Sequence, residues 1–162
     1  MKYFKQEQYY TCGVACFRMV MSAQGLPDID EMTLEEIMGT SYKSGTHYDL
    51  MVKAAEKFDL DCISSEGGTI ELIDLLTQQG WTVVLAYSVD VPHYAVYLGK
   101  HDGQIFLGDP TFGERYAIPQ GKFERAYWQI DVSKYKVAIA ELDLDLDKGS
   151  DSKQWYIAYK KK

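Results

Sequence analysis

Two short apolar runs, Val91 to Gly99 and Gln104 to Pro110, set the strongest constraint on the fold, because Asp102-Gly103 stands between them. Each run is of strand type, and Asp-Gly between such runs is a strong hairpin signal. A hairpin here brings His93, which opens the first strand, and Asp109, which closes the second, to the same end of a sheet. Register decides whether they also share a face. A two-residue turn pairs Val96 with Asp109 and sends His93 to the opposite face. A three-residue loop from His101 to Gly103, with Gly103 left-handed, pairs Ala95 with Asp109 and puts both side chains on one face. If His93 and Asp109 work together, that loop or an equivalent bulge is expected.

A second constraint lies near the N-terminus, in Gln6-Glu7-Gln8-Tyr9-Tyr10-Thr11-Cys12-Gly13-Val14-Ala15-Cys16. Thr11 is placed to cap a helix, the run from Gly13 to Ala23 is mostly apolar, and Gly25 is placed to end it. Cys12 then falls in the first turn, where the helix dipole and free N–H groups favour thiolate over thiol. A cysteine taken alone at such a position is more often a small buried residue, so Cys12 needs partners.

Taken together, several stretches resemble a known family. They are Gln6 followed by Cys12-Gly13-Val14-Ala15, then His93-Tyr94-Ala95-Val96, and Gly108-Asp109-Pro110 with Gly113 after it. Gly39-Thr40-Ser41 through Gly45-Thr46, and Lys122 to Trp128, fit as well. In this order they resemble the bacteriocin-processing cysteine peptidases, which remove double-glycine leaders and belong to the papain-like superfamily. Thr11 departs from the pattern, since the family usually has an acidic residue before the cysteine.

The resemblance implies roles. Cys12 is the expected nucleophile, and His93 the general base that takes the thiol proton and returns it to the leaving amine. Asp109 is expected to hold the imidazole, although an aspartate ahead of Pro110 also reads as a turn residue. Gln6 is expected to donate its side-chain amide to the oxyanion beside the Cys12 backbone N–H, with Gln8 a weaker candidate. The implied reaction is cleavage after Gly-Gly in a leader peptide, with an ABC-type exporter as partner. The alternatives are a papain-like acyl transferase using the same three residues and a peptide-binding domain without turnover. The tail leans toward a free-standing peptidase rather than an excised domain.

Around these stretches the chain reads as α+β: a single papain-like domain over 1–162, with a helical half (1–80), a sheet half (81–132) and an additional C-terminal hairpin (133–162). Thr33 to Glu36 reads as a capping box stopped at Gly39, Thr46 as the cap of a second helix with Asp49 at the reciprocal position, and Thr69 as the cap of a third ending at Gly80. Thr82 to Tyr87 reads as a buried central strand. Period-two alternation over Tyr135 to Leu146 predicts a strand that pairs with Trp155 to Tyr159 and extends or covers the sheet edge.

Composition excludes several classes. The 162 residues are 46% apolar, enough for one core, and the net charge of −7 makes nucleic acid an unsuitable partner. There is no apolar run of membrane length and no secretory h-region, and three cysteines suit a reducing compartment, so a cytoplasmic monomer is expected. Cys16 and Cys62 carry no role: i,i+4 helical cysteines are badly aimed for a disulfide. No metal or cofactor is expected. Cys12, Cys16 and His93 lack a fourth zinc ligand, and Asp143, Asp145 and Asp147 are followed by Lys148 and Gln154 where a calcium loop needs Gly and Glu.

Overall fold

The computed structural model describes residues 1–88, 92–128 and 154–162. Its helices are α1 (Cys12–Ala23), α2 (Glu31–Met38), α3 (Tyr48–Lys57), α4 (Ile70–Gln78) and α5 (Gln120–Trp128). Its strands are β1 (Leu60–Ser65), β2 (Thr82–Ser88), β3 (Pro92–His101), β4 (Gln104–Asp109), β5 (Glu114–Pro119) and β6 (Tyr156–Lys161). The six strands form one sheet in the order β1-β6-β2-β3-β4-β5, every pairing antiparallel.

Alternation along the strands fills both faces. Val84, Ala86, Tyr94, Val96, Ile157 and Tyr159 join the core with residues of α1, α2 and α3. Their neighbours Val83, Leu85, Ala95, Tyr97, Tyr156 and Ala158 join a second core with Ile70, Ile73 and Leu76 of α4 and Phe123 of α5. Period two thus produces a sheet covered by helices on both sides, which is why its central strands read as nearly continuous apolar runs. The expected α+β class holds, and α4 and α5 cover the face of the sheet opposite α1, α2 and α3. Burying each large apolar side chain stabilises by about 1.5–3 kcal/mol, and Val14, Phe17, Val20 and Leu85 are all fully buried.

The β3–β4 hairpin resolves the register question. Its turn has two residues, Asp102 at φ 49° and Gly103 at φ 72°, which close His101 against Gln104. By itself that turn would separate His93 from Asp109. A bulge intervenes between Tyr97 and Gly99, with Gly99 at φ 139°, and beyond it Val96 stands opposite Gly108. Continued by one residue, that register sets Ala95 against Asp109. The equivalent of the three-residue loop is therefore built into the strand, and the two side chains share a face.

Local caps differ from expectation in three places. Thr11 occupies the N-cap position of α1 but makes no side-chain cap, because its hydroxyl closes the preceding loop instead, accepting from Gln8 N at 3.1 Å and donating to Gln8 O at 3.0 Å. Helix α2 starts three residues early. Asp30 caps it, taking Thr33 N at 2.9 Å and the Thr33 hydroxyl at 2.8 Å, so Thr33 is the capped residue and not the cap. Helix α3 begins at Tyr48 after His47, and the Thr46 hydroxyl is held by that of Thr40 at 2.7 Å. Thr69 caps α4 as expected, receiving Leu72 N at 3.0 Å, and Gly25, Gly39 and Gly80 all take the left-handed backbone expected past helix ends.

The tail also differs. Strand β6 does not cover an edge: it lies between β1 and β2, pairing with both. Cys62 lies on β1 opposite Tyr159. The other arm of the expected hairpin (135–146) and Asp143, Asp145 and Asp147 lie outside the described residues. Among the described residues no helix is long and apolar enough to cross a membrane.

Candidate active site

Cys12 is the first residue of α1, whose first turn holds no acidic side chain and takes no side-chain cap. The positive end of the helix therefore acts on the sulfur without a competing charge. Cys12 is partly exposed and packs at the margin of the core. Its thiol lies in the electrostatic field of the His93 imidazole. Burial pushes the thiol up, but the charge of His93, the bond to His93 and the backbone N–H groups of Tyr94 and Gly13 outweigh it, and its pKa is lowered.

Cys16 provides an internal control. It lies one turn along the same helix, fully buried, and burial pushes its thiol well above the ordinary value with no cation to oppose it. Two thiols on one helix are thus displaced in opposite directions, and the largest lowering influence on Cys12, absent at Cys16, is the imidazole.

His93 is held from the other side. Its Nε2 lies 2.8 Å from Asp109 Oδ1 and 3.0 Å from the Thr111 hydroxyl, which leaves Nδ1 for Cys12. Burial lowers the pKa of His93, but the Cys12 thiolate, the bonds to Asp109 and Cys12 and the Asp109 charge raise it to about 10. Asp109 is buried at 3% exposure. Burial raises its carboxyl, and the bond and charge of His93 together with Thr111 N–H, which donates to Oδ1 at 2.8 Å, bring it below the ordinary value. A lowered Cys12 pKa beside a raised His93 pKa favours a proton on His93 and a negative charge on Cys12, the state in which a cysteine is nucleophilic.

Gln6 joins the site through the residue after Asp109: its backbone N–H donates to Pro110 O at 2.8 Å. Its side-chain Nε2 donates to Gln8 O at 2.8 Å, which commits one of two N–H groups. Gln8 is exposed and serves through its backbone, as the acceptor for Gln6 and the partner of Thr11. Thr111 escaped the sequence reading. Its only signal was its position two residues after Asp109 in a turn, where a hydroxyl can bond back. The remaining histidines lie elsewhere, His47 ahead of α3 and His101 exposed beside Asp102 at 3.2 Å.

A close approach fixes the N-terminal segment to the Asp109 loop. Gly113 has φ 70°, and a Cβ there would stand 2.7 Å from Lys5 Cβ and 2.8 Å from Lys5 N. Gly113→Ala is expected to destabilise the protein by about 2 kcal/mol, through the left-handed penalty plus the clash. Urea unfolding measures this, and the same variant should lose turnover as Gln6 is displaced along with Lys5.

The model of the Peptidase C39 family matches residues 1–133. The chain belongs to the Peptidase C39 family. This is the bacteriocin-processing family that its motifs resemble, and membership makes it a cysteine peptidase. Solved structures agree on the fold of this C39 peptidase. The peptidase domain of Streptococcus ComA, a bi-functional ABC transporter involved in quorum sensing, is similar at 18% identity and TM-score 0.71, over 99% of this chain and 98% of that one. A putative C39-like peptidase from Bacillus anthracis matches at 16% identity and TM-score 0.69, over 99% and 94%. A double glycine motif protease from an AMS/PCAT transporter, in complex with the leader peptide, matches at 15% identity and TM-score 0.68, over 99% and 91%. No curated protein matches the chain.

Proposed function

We propose that this C39 peptidase cleaves peptides after Gly-Gly at the end of a leader, through Cys12, His93, Asp109 and Gln6. The observation that carries the reading is the contrast between Cys12 and Cys16, thiols one turn apart of which only the one in the field of His93, itself held by Asp109 at 2.8 Å, has its pKa lowered. The Cys12 thiolate attacks the carbonyl carbon of the scissile bond. The oxyanion that forms is met by the Cys12 backbone N–H, at the uncapped end of α1, and by the second N–H of Gln6 Nε2. His93 delivers its stored proton to the leaving nitrogen, and the amine departs, leaving a thioester on Cys12. A water then gives a proton to His93, attacks the thioester, and releases the carboxylate product and the thiolate. Asp109, assisted by Thr111, keeps Nε2 protonated and Nδ1 aimed at sulfur throughout.

The substrate proposal rests on the family and on the similarity to a double glycine motif protease solved with a leader peptide. An ABC-type exporter as partner, a cytoplasmic location and a monomeric single domain complete it; the free thiols of Cys12, Cys16 and Cys62 suit a reducing compartment. The test is incubation with a synthetic leader peptide carrying Gly-Gly and mass analysis of both products. A free carboxylate after the second glycine is expected, and an adduct with an added amine would instead indicate transfer. Gln6→Ala is expected to lower kcat by about 10²–10³-fold with KM little changed, the cost of one oxyanion donor. Intact cleavage elsewhere in the peptide, or none, overturns the substrate assignment.

A further inference from the structure

Glu31 is a buried carboxylate that the chemistry above does not use. It is the first residue of α2 and is 2% exposed. One oxygen, Oε2, accepts the Glu7 backbone N–H at 2.6 Å, while Oε1 is buried with no hydrogen-bond partner. A carboxylate placed so deep, with half of its acceptor capacity unused, costs stability, and burial pushes its carboxyl up from the ordinary value. The start of α2 offsets part of that cost by offering a helix N-terminus. What the charge holds in return is the Glu7 peptide unit, which directly follows Gln6, and the Thr11 side chain also acts on that charge.

We propose that Glu31 is a positioning residue for the oxyanion side of the site: by gripping the Glu7 N–H it fixes the bend from which Gln6 reaches the reacting carbonyl. The inference rests on the reading that Gln6 supplies an oxyanion donor. Gln6 is then tethered at both of its peptide units, by Pro110 O to its own N–H and by Glu31 to the next. One tether joins it to the loop of Asp109 and the other to α2, so the oxyanion donor is referenced to the proton relay and to a rigid element at once. The same helix grips the segment again one turn later, where Tyr10 donates its hydroxyl to Glu35 Oε1 at 2.8 Å. Thr11 closes the rest of the bend on Gln8 and hands the chain to Cys12. A displacement of about 1 Å at such a donor is enough to cost turnover without touching binding.

The test compares Glu31→Ala, Glu31→Asp and Glu31→Gln with wild type in two measurements: kcat and KM on the Gly-Gly peptide, and the rate of Cys12 alkylation by iodoacetamide. Alkylation needs the thiolate and His93 but no oxyanion donor, so it reports an intact fold and nucleophile. Glu31→Asp keeps the charge and a favourable helix-start residue but withdraws the oxygen from Glu7, and it guards against an alanine variant that fails to fold. Both shortened variants are expected to lose about tenfold or more in kcat, with KM and alkylation within about threefold of wild type. Glu31→Gln still presents an oxygen to the Glu7 N–H and is expected to restore most of the kcat. Wild-type kcat in Glu31→Asp, or loss of turnover and alkylation in parallel, overturns the proposal. Gln6→Ala run alongside separates the two levels. If it loses kcat while Glu31→Asp does not, only the role of Glu31 fails; if it keeps full kcat, the oxyanion assignment fails with it.

Discussion

Cys12→Ala is expected to lower peptidase turnover by about 10⁴-fold or more while leaving the fold intact. The magnitude follows from removing the only group that forms the covalent intermediate, since nucleophile deletions in acyl-transfer enzymes leave little beyond binding and oxyanion stabilisation. The fold should survive because the sulfur is partly exposed at the edge of the core and takes part in no disulfide. Unfolding free energy is expected within about 1 kcal/mol of wild type, as for a substitution that opens no large cavity. Cys16→Ala makes the matching control: it removes a fully buried sulfur, so it should cost stability and spare turnover. A peptidase that keeps its activity in Cys12→Ala and loses it in Cys16→Ala would reverse the assignment.

His93→Ala should lower kcat by about 10³-fold and abolish the unusual reactivity of Cys12. Two functions disappear together. The leaving amine loses its acid, and the thiol loses the cation and hydrogen bond that oppose burial, so Cys12 should behave as Cys16 does, with a raised pKa. The pH profile carries the sign. The Cys12 pKa is lowered and that of His93 is raised to about 10, so the thiolate–imidazolium pair occupies the window between them. Activity should fall at the acid limb as the thiolate protonates and at the alkaline limb as His93 gives up its proton. Asp109, also held below its ordinary value, stays ionised across that window. In His93→Ala the acid limb of alkylation should move upward past the ordinary thiol value. An alkylation profile identical to wild type contradicts the pairing.

The helical start at Cys12, the cap at Thr69, the central strand at Thr82 and the hairpin around Asp102-Gly103 were legible because each is written in adjacent residues. The bulge between Tyr97 and Gly99 was legible only as a requirement. Gly99 inside a strand pattern is compatible with a bulge without fixing one, and His93 and Asp109 cannot share a face without a one-residue correction to the two-residue turn. The start of α2 was misplaced because Thr33 to Glu36 satisfies a capping pattern that Asp30, three residues earlier, takes up first. Most opaque was the pairing of β1 with β6, which joins Leu60 to Lys161 across most of the chain. Local alternation identifies Tyr156 to Tyr159 as a strand but carries no information on its neighbours. Insertion between β1 and β2 follows from burying both faces of that strand, and only the three-dimensional sheet shows it. The same holds for Thr111 and Glu31, ordinary polar residues until the fold sets one on the imidazole and the other beneath Gln6.

The most direct measurement is to trap the acyl-enzyme. A peptide ester ending in Gly-Gly acylates a thiolate quickly and leaves hydrolysis of the thioester as the slow step, so rapid acid quenching followed by intact-mass and peptide-mapping analysis should catch the intermediate. The account predicts an added mass equal to the acyl fragment, located on the peptide that contains Cys12, absent in Cys12→Ala and much slower to form in His93→Ala. Product formation with no adduct on Cys12, or an adduct on Cys16 or Cys62, would contradict it.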